Sequence, residues 1–230
     1  MNPLVKICGL STPETVDVAL AAGADLVGFV RFPKSPRHVE LDRGRALSVQ
    51  AKGKALRVAL VVDADDAELA AVVEALDPDW LQLHGSETPQ RVAAIRARFG
   101  RPVMKAIGIA DASDLAGVAA HAGCDHLLLD TKPPRDAEAL PGGNGVAFDW
   151  RLLAGLDPSL RFMLSGGLNP GNVAAAIAIT GAQAVDVSSG VESRPGAKDP
   201  ARIEAFVKAA RAAFASSSVS AAPSVQRHLP

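Results

Sequence analysis

Eight short apolar runs recur along the chain, at 4–7, 26–29, 56–62, 80–83, 103–109, 126–129, 162–164 and 184–187. Each has the length and β-branched content of a buried strand. The segments between them carry a helical period instead: Leu69, Val72, Val73 and Leu76 fall at i, i+3, i+4 and i+7, as do Ile203, Phe206, Val207 and Ala210. From Ile7 to Val187 there are 180 residues in seven steps, or about 26 per step, near the ~31 per unit of a ~250-residue eightfold barrel. The reading is an α/β chain folded as a single-domain (β/α)8 TIM barrel over residues 1–214. An open doubly wound sheet is the rival, but its fingerprint of three spaced glycines after the first strand is missing, since Gly9 is followed by Leu-Ser-Thr-Pro.

Punctuation supports the alternation. Ser11 with Glu14 reads as a capping box, and Thr88-Pro89, Asn169-Pro170 and Asp199-Pro200 each set a capping side chain before a proline. Ala22-Gly23-Ala24-Asp25, Ala122-Gly123-Cys124-Asp125 and Gly181-Ala182-Gln183 form an echoed turn that ends a helix and enters a strand. Residues 215–230, rich in Ser and Ala without an apolar period, read as a disordered tail.

The 230 residues are 48% apolar and 21% charged, with 24 Lys and Arg against 25 Asp and Glu. That balance lacks the basic excess of a nucleic-acid partner. Two distant cysteines build neither a disulfide framework nor a four-cysteine metal site, and no run approaches the ~18 apolar residues of a membrane span. A cytoplasmic protein, untargeted and free of membrane, is expected, as a monomer or homodimer.

In a barrel the reactive face lies at the C-terminal ends of the strands. Cys124 precedes its strand and belongs to the opposite end, where it packs as a small side chain. Cys8 follows the first run and reaches the barrel mouth, although the ordinary role of a buried cysteine is that of a small hydrophobe. Asp130 ends the sixth run, where a buried carboxylate is costly unless it is used; the plainer role is capping the next loop. The stretch 131–148, polar and rich in Gly and Pro, reads as a lid over Asp130.

Two glycine turns follow the last two strands, Ser165-Gly166-Gly167 and Ser188-Ser189-Gly190. Glycines let backbone amides approach an anion closely, and these are the loops that hold a phosphate in many barrels. A phosphate monoester substrate follows. Arg37, in the cationic loop 31–37, either grips a second anionic group or is solvated. His84 is a pocket wall or a structural histidine. Asp186 lies within the eighth strand with its direction open, because a one-residue shift reverses the face. Lys6 and Lys105 read as members of structural ion pairs. No metal site emerges, since His84 is the only histidine at an expected strand end, and no cofactor is called for.

Together, Val5-Lys6-Ile7-Cys8-Gly9-Leu10, Gly28-Phe29-Val30, Pro33-Lys34-Ser35-Pro36-Arg37, Leu81-Gln82-Leu83-His84-Gly85, Leu128-Leu129-Asp130, Gly166-Gly167-Leu168-Asn169-Pro170 and Asp186-Val187-Ser188-Ser189-Gly190-Val191-Glu192 resemble the phosphoribosylanthranilate isomerase family, in its order. Arg31 departs from the pattern, standing where an apolar or aromatic residue is expected. The resemblance implies the cofactor-free Amadori rearrangement of N-(5-phosphoribosyl)anthranilate in tryptophan biosynthesis. It further implies Cys8 as general base, Asp130 as general acid, Arg37 on the anthranilate carboxylate, and the backbone at Gly167, Ser188, Ser189 and Gly190 on the phosphate. Asp186 and His84 would line the pocket. In that scheme the site should lower the Cys8 thiol from its free value of ~8.5, and Asp130 must hold its proton near neutrality. A phosphosugar epimerase, normally a metal enzyme, and a Schiff-base aldolase, which wants a lysine at position 130, remain as other enzymes on this fold. A phosphate-ligand sensor without turnover is the non-enzymatic alternative.

Overall fold

The computed structural model describes residues 2–132, 142, 147–157 and 159–220. Eight parallel strands close into a barrel in sequential order: β1 Leu4–Cys8, β2 Leu26–Arg31, β3 Leu56–Val61, β4 Trp80–Leu83, β5 Val103–Ile109, β6 His126–Thr131, β7 Phe162–Leu164 and β8 Ala184–Val187. Closure is the pairing of β1 with β8, from Leu4 opposite Ala184 to Ile7 opposite Val187. That register excludes the open sheet. Helices α1 Pro13–Ala21, α2 Leu41–Ala51, α3 Asp66–Leu76, α4 Pro89–Phe99, α5 Leu115–Ala120, α6 Val173–Thr180 and α7 Pro200–Ser220 lie between and after the strands. Between β6 and β7 the described residues carry a 3-10 segment, Trp150–Gly155, instead. After β8 comes a small antiparallel hairpin, β9 Glu192–Arg194 with β10 Ala197–Lys198.

Strand pleat sorts the side chains. Val5, Ile7, Val185, Val187, Leu127 and Leu129 point outward into the large core beneath the helices, while the alternate residues fill the barrel. Leu26, Val58, Met104, Leu128 and Met163 pack its lower half, beside the stacked rings of Trp80 and His126. Above them sit Cys8, Val30 and Leu60.

Alternate strands share a lower-rim device. The Asp25 carboxylate accepts from Val5 N at 2.6 Å, Asp79 from Arg57 N at 2.7 Å and Asp125 from Val103 N at 2.9 Å. Each aspartate just ahead of an even-numbered strand thus ties down the preceding odd-numbered one. A carboxylate bond to a backbone amide contributes roughly 1.5–3 kcal/mol.

Some helix starts differ from expectation. Thr12, not Ser11, caps α1, its hydroxyl accepting from Thr15 N at 3.3 Å, because Pro13 takes the first helical position and the residue before it becomes the cap. Thr88 and Asp199 cap as expected. Asn169 instead closes a turn, accepting from Gly171 N at 2.8 Å, and α6 begins only at Val173. Helix α7 continues past Phe214 to Ser220. Residues 221–230, and most of the expected lid over 131–148, lie outside the described residues.

Candidate active site

An open-mouthed cavity lies at the C-terminal end of the strands. Cys8, Arg37, His84, Asp130, Asp186, Gly167, Ser188 and Ser189 all line it. The register explains the convergence: Lys6 and Cys8 on β1, Gln82 and His84 at β4, Asp130 on β6 and Asp186 on β8 all fall on inward positions. Val30, Phe32, Leu60 and Val62 form an apolar wall on the β2 and β3 side. Arg31 takes no part in that wall. It faces outward to Glu40 at 2.8 Å and His38 at 2.8 Å, so its departure from the family pattern leaves the cavity lined by its neighbours.

At β1 and β8 the direction of Asp186 is settled inward, where its Oδ1 accepts from Lys6 Nζ at 2.9 Å and Ser165 Oγ reaches Oδ2 at 3.3 Å. Lys6 is fully buried. Burial works against its ammonium, but the charges of Asp186 and Cys8 outweigh that and raise it above its ordinary value. The same burial pushes the Cys8 thiol up, and neighbouring Asp186 adds to the rise, while Lys6 and Lys198 pull the other way without prevailing. The expectation that the site lowers this thiol is therefore overturned. Withdrawing sulfur from water costs its anion more than the lysines return. Room for the sulfur comes from Gly28 on the next strand, where a methyl would lie 3.0 Å from Sγ and 3.3 Å from Lys6 Nζ.

Lys105 is also an ion-pair member, but on the helix-facing side of β5. Its Nζ meets Glu87 at 2.8 Å and Gly85 O at 2.6 Å, bracing the turn that carries His84.

Across the mouth, Asp130 Oδ1 accepts from Thr131 N at 2.7 Å, and Oδ2 lies 3.3 Å from His84 Nε2. The plainer capping contact is thus present, yet the other oxygen faces the cavity group. Gly142 closes over this pair, since a methyl there would lie 2.7 Å from His84 Nε2 and 2.8 Å from Asp130 Oδ2.

The two glycine turns meet at the β7 and β8 ends. Gly166 and Gly167 take left-handed φ of 81° and 64° in succession, a conformation that residues with a Cβ rarely adopt. A methyl on Gly166 would strike Thr131 Oγ1. Gly190 is a glycine for space: a methyl would overlap the Leu168 carbonyl oxygen and lie 2.9 Å from its carbon. Backbone thus approaches backbone between the two loops.

Sequence reading missed the group behind Arg37. Glu192 receives Arg37 Nε at 2.7 Å and Nη2 at 2.9 Å, and Lys198 Nζ at 2.7 Å. Lys198 also donates to Ser188 O at 2.9 Å, tying the second glycine turn to the hairpin. Burial lowers its ammonium to about 8 against the pull of Glu192. Glu192 itself is held low by Arg37 and Lys198 despite burial. The signal was the motif ending in Glu192, but nothing in a two-residue strand announces that Lys198 is buried.

Among the described residues no His, Cys, Asp and Glu group could hold a metal ion, and no helix is long and apolar enough to cross a membrane. The arrangement brings a thiol, a carboxyl group, a guanidinium beside an apolar wall, and two glycine turns to one cavity.

Residues 5–209 match the family model for N-(5′-phosphoribosyl)anthranilate (PRA) isomerase. The chain is 61% identical over 213 residues to the N-(5′-phosphoribosyl)anthranilate isomerase of Rhodopseudomonas palustris strain BisB5, covering 92% of this chain and 97% of that one. It is 61% identical to its counterpart from Azorhizobium caulinodans, over 93% of each. The crystal structure of phosphoribosyl anthranilate isomerase from Thermotoga maritima superposes with a TM-score of 0.82 at 37% identity, covering 92% of this chain and all of that one. A phosphoribosyl anthranilate isomerase structure in complex with reduced 1-(o-carboxyphenylamino)-1-deoxyribulose 5-phosphate superposes at 0.79, with 34% identity over the same shares.

Proposed function

The chain belongs to the N-(5′-phosphoribosyl)anthranilate isomerase family, and from that premise we propose that Cys8 and Asp130 are the general base and general acid of its reaction. The activity is the isomerisation of N-(5′-phosphoribosyl)anthranilate in tryptophan biosynthesis. The observation that carries the assignment is that these two side chains face one cavity from β1 and β6, beside the paired glycine turns of β7 and β8.

Asp130 donates its proton to the ribose ring oxygen. The C1–O bond breaks, the oxygen leaves as a hydroxyl, and nitrogen's lone pair forms the C1=N iminium. Cys8, as thiolate, then takes the proton from C2. The released electron pair makes C1=C2 and neutralises the nitrogen, and the resulting enolamine tautomerises to the 1-(2-carboxyphenylamino)-1-deoxyribulose phosphate. No electrons leave the substrate, so the chemistry needs no redox partner. The raised thiol fits this order. A cation created beside the sulfur favours its anion at the step that uses it.

Arg37 faces the anthranilate carboxylate, with the aromatic ring on the wall of Val30, Phe32, Leu60 and Val62. The backbone at Gly167, Ser188, Ser189 and Gly190 takes the phosphate, and Asp186 and His84 line the space between. The protein acts in the cytoplasm on this phosphorylated small molecule.

The test follows substrate fluorescence with purified protein and added chelator. Cys8→Ser and Asp130→Asn should each lower kcat by orders of magnitude with unfolding unchanged, and Arg37→Ala should mainly raise KM. A near-normal rate in either of the first two removes that residue from its role. Loss of turnover on chelation would favour a metal route.

A further inference from the structure

The hairpin that follows β8 lies outside the repeating strand and helix unit, and its first residue reaches back to the cavity. Glu192, buried at the start of β9, accepts from Arg37 Nε at 2.7 Å and from Nη2 at 2.9 Å. Its Oε1 also takes Lys198 Nζ at 2.7 Å, and its Oε2 takes the amide of Gly196 at 3.2 Å. Lys198 bridges onward to the second glycine turn, donating to Ser188 O at 2.9 Å and to Ser188 Oγ at 3.2 Å. The hairpin presses on the loop that carries Arg37 as well, since a methyl on Gly196 would strike the Pro36 carbonyl oxygen. Further along the arginine, a methyl on Gly9 would lie 2.7 Å from Arg37 Cδ. Stem and head of this side chain are both confined by the protein.

An arginine loses rotamer freedom when it is fixed, and a group fixed beforehand spares its ligand that cost. Two parallel charge-assisted bonds set the plane of a guanidinium, which one bond does not. The same carboxylate also presents a like charge to an incoming carboxylate. Burial raises the Glu192 carboxyl, but Arg37 and Lys198 outweigh that and keep it below its ordinary range, as an anion. Lys198 offsets the repulsion: two cations around one anion leave the cluster a positive charge to meet an anionic substrate group. Stability alone gives no reason for the arrangement, because a buried ion cluster is seldom more stabilising than well-packed hydrocarbon.

We propose that Glu192 is a positioning residue for substrate binding: before substrate arrives, it holds the Arg37 guanidinium in the orientation that receives the anthranilate carboxylate. The proposal rests on the assignment of that carboxylate to Arg37. Glu192 acts through the guanidinium, so its effect falls on binding and not on the proton transfers at Cys8 and Asp130.

The test is a mutant cycle in the full chain, read by steady-state kinetics, by inorganic phosphate as a competitive inhibitor and by a melting curve. Glu192→Gln keeps the size of the side chain and removes its charge. It should raise KM about three- to tenfold, the scale of ordering one rotamer-rich side chain, with kcat changed less than about twofold. In an Arg37→Ala background the same change should move KM less than about twofold, because residues that act as one are not additive. The phosphate inhibition constant should hold within about twofold, since Lys198 keeps its contacts to Ser188. A lower KM in Glu192→Gln overturns the proposal, for the carboxylate would then compete with substrate. So does an unchanged KM, an additive effect in the Arg37→Ala background, or a phosphate constant that rises with KM and marks a general loosening. If Glu192→Gln does not fold, the double variant with Lys198→Met restores the local charge and is compared with Lys198→Met alone. The same rise in KM is expected there, and its absence overturns the proposal. If Arg37→Ala leaves KM unchanged, the reading of Arg37 has failed and the proposal falls with it; a raised KM in Arg37→Ala beside a normal one in Glu192→Gln defeats only the role of Glu192.

Discussion

Gly190→Ala probes the anion cradle at its narrowest point. The added methyl would overlap the Leu168 carbonyl oxygen and lie 2.9 Å from the Leu168 carbonyl carbon and 3.1 Å from Asn169 Cα. Ordinary carbon contacts are ~3.5–4.0 Å, and all three obstructing atoms are backbone, with no rotamer to escape into. The β7 and β8 turns must therefore part by about 1 Å, enough to carry an amide-to-phosphate bond of ~2.9 Å out of range. A hydrogen bond to a charged group contributes roughly 1.5–3 kcal/mol. Losing one such bond should raise KM and the dissociation constant of inorganic phosphate about ten- to a hundredfold. Cys8, His84 and Asp130 lie on other strands, so kcat should change far less. Steady-state kinetics, phosphate titration by calorimetry and a melting curve read the three quantities. Wild-type phosphate affinity in a folded variant would refute the cradle.

Two further outcomes follow from titration. Burial holds the Cys8 thiol above its ordinary range, so the thiol form dominates at neutral pH. Its alkylation by iodoacetamide should accelerate only at pH values above those at which a free thiol reacts, and Lys6→Met, which removes a cation that favours the thiolate, should shift the profile further up; a profile bending near pH 7 would contradict this. Lys198 has its ammonium lowered from 10.5 to about 8, so between those values the unfolded chain binds a proton that the folded chain has shed. The penalty is fully present below pH 8, and stability from this group rises with pH from about 8 to 10.5. Wild type should gain on Lys198→Met in urea unfolding between pH 7 and 10, and a pH-independent gap would refute the assignment.

The barrel was legible because parallel strands buried on both faces read as continuous apolar runs, and the eight runs lie within two residues of the observed strands. Cys8 and Asp130 were legible because the ends of such runs define the reactive rim. Asp186 was not, since a strand's period of two leaves its face open until Lys6 is seen opposite. The Glu192 and Lys198 pair was hidden for another reason. Their hairpin is an insertion after β8, outside the repeating unit, and Lys198 reads as an exposed cation until folding buries it against Glu192. The direction of the Cys8 shift failed likewise, because the expectation came from the reaction's need for a thiolate, while the loss of water around the sulfur appears only in the fold.

The division of labour between thiol and carboxyl is tested most directly by substrate carrying deuterium at C2. In Cys8→Ser, removal of that hydrogen becomes the slow step, and kcat should fall by orders of magnitude with a full primary isotope effect. In Asp130→Asn, ring opening becomes slow, so kcat should fall with an isotope effect near one. The reverse pattern, or wild-type turnover in either variant, would contradict the account.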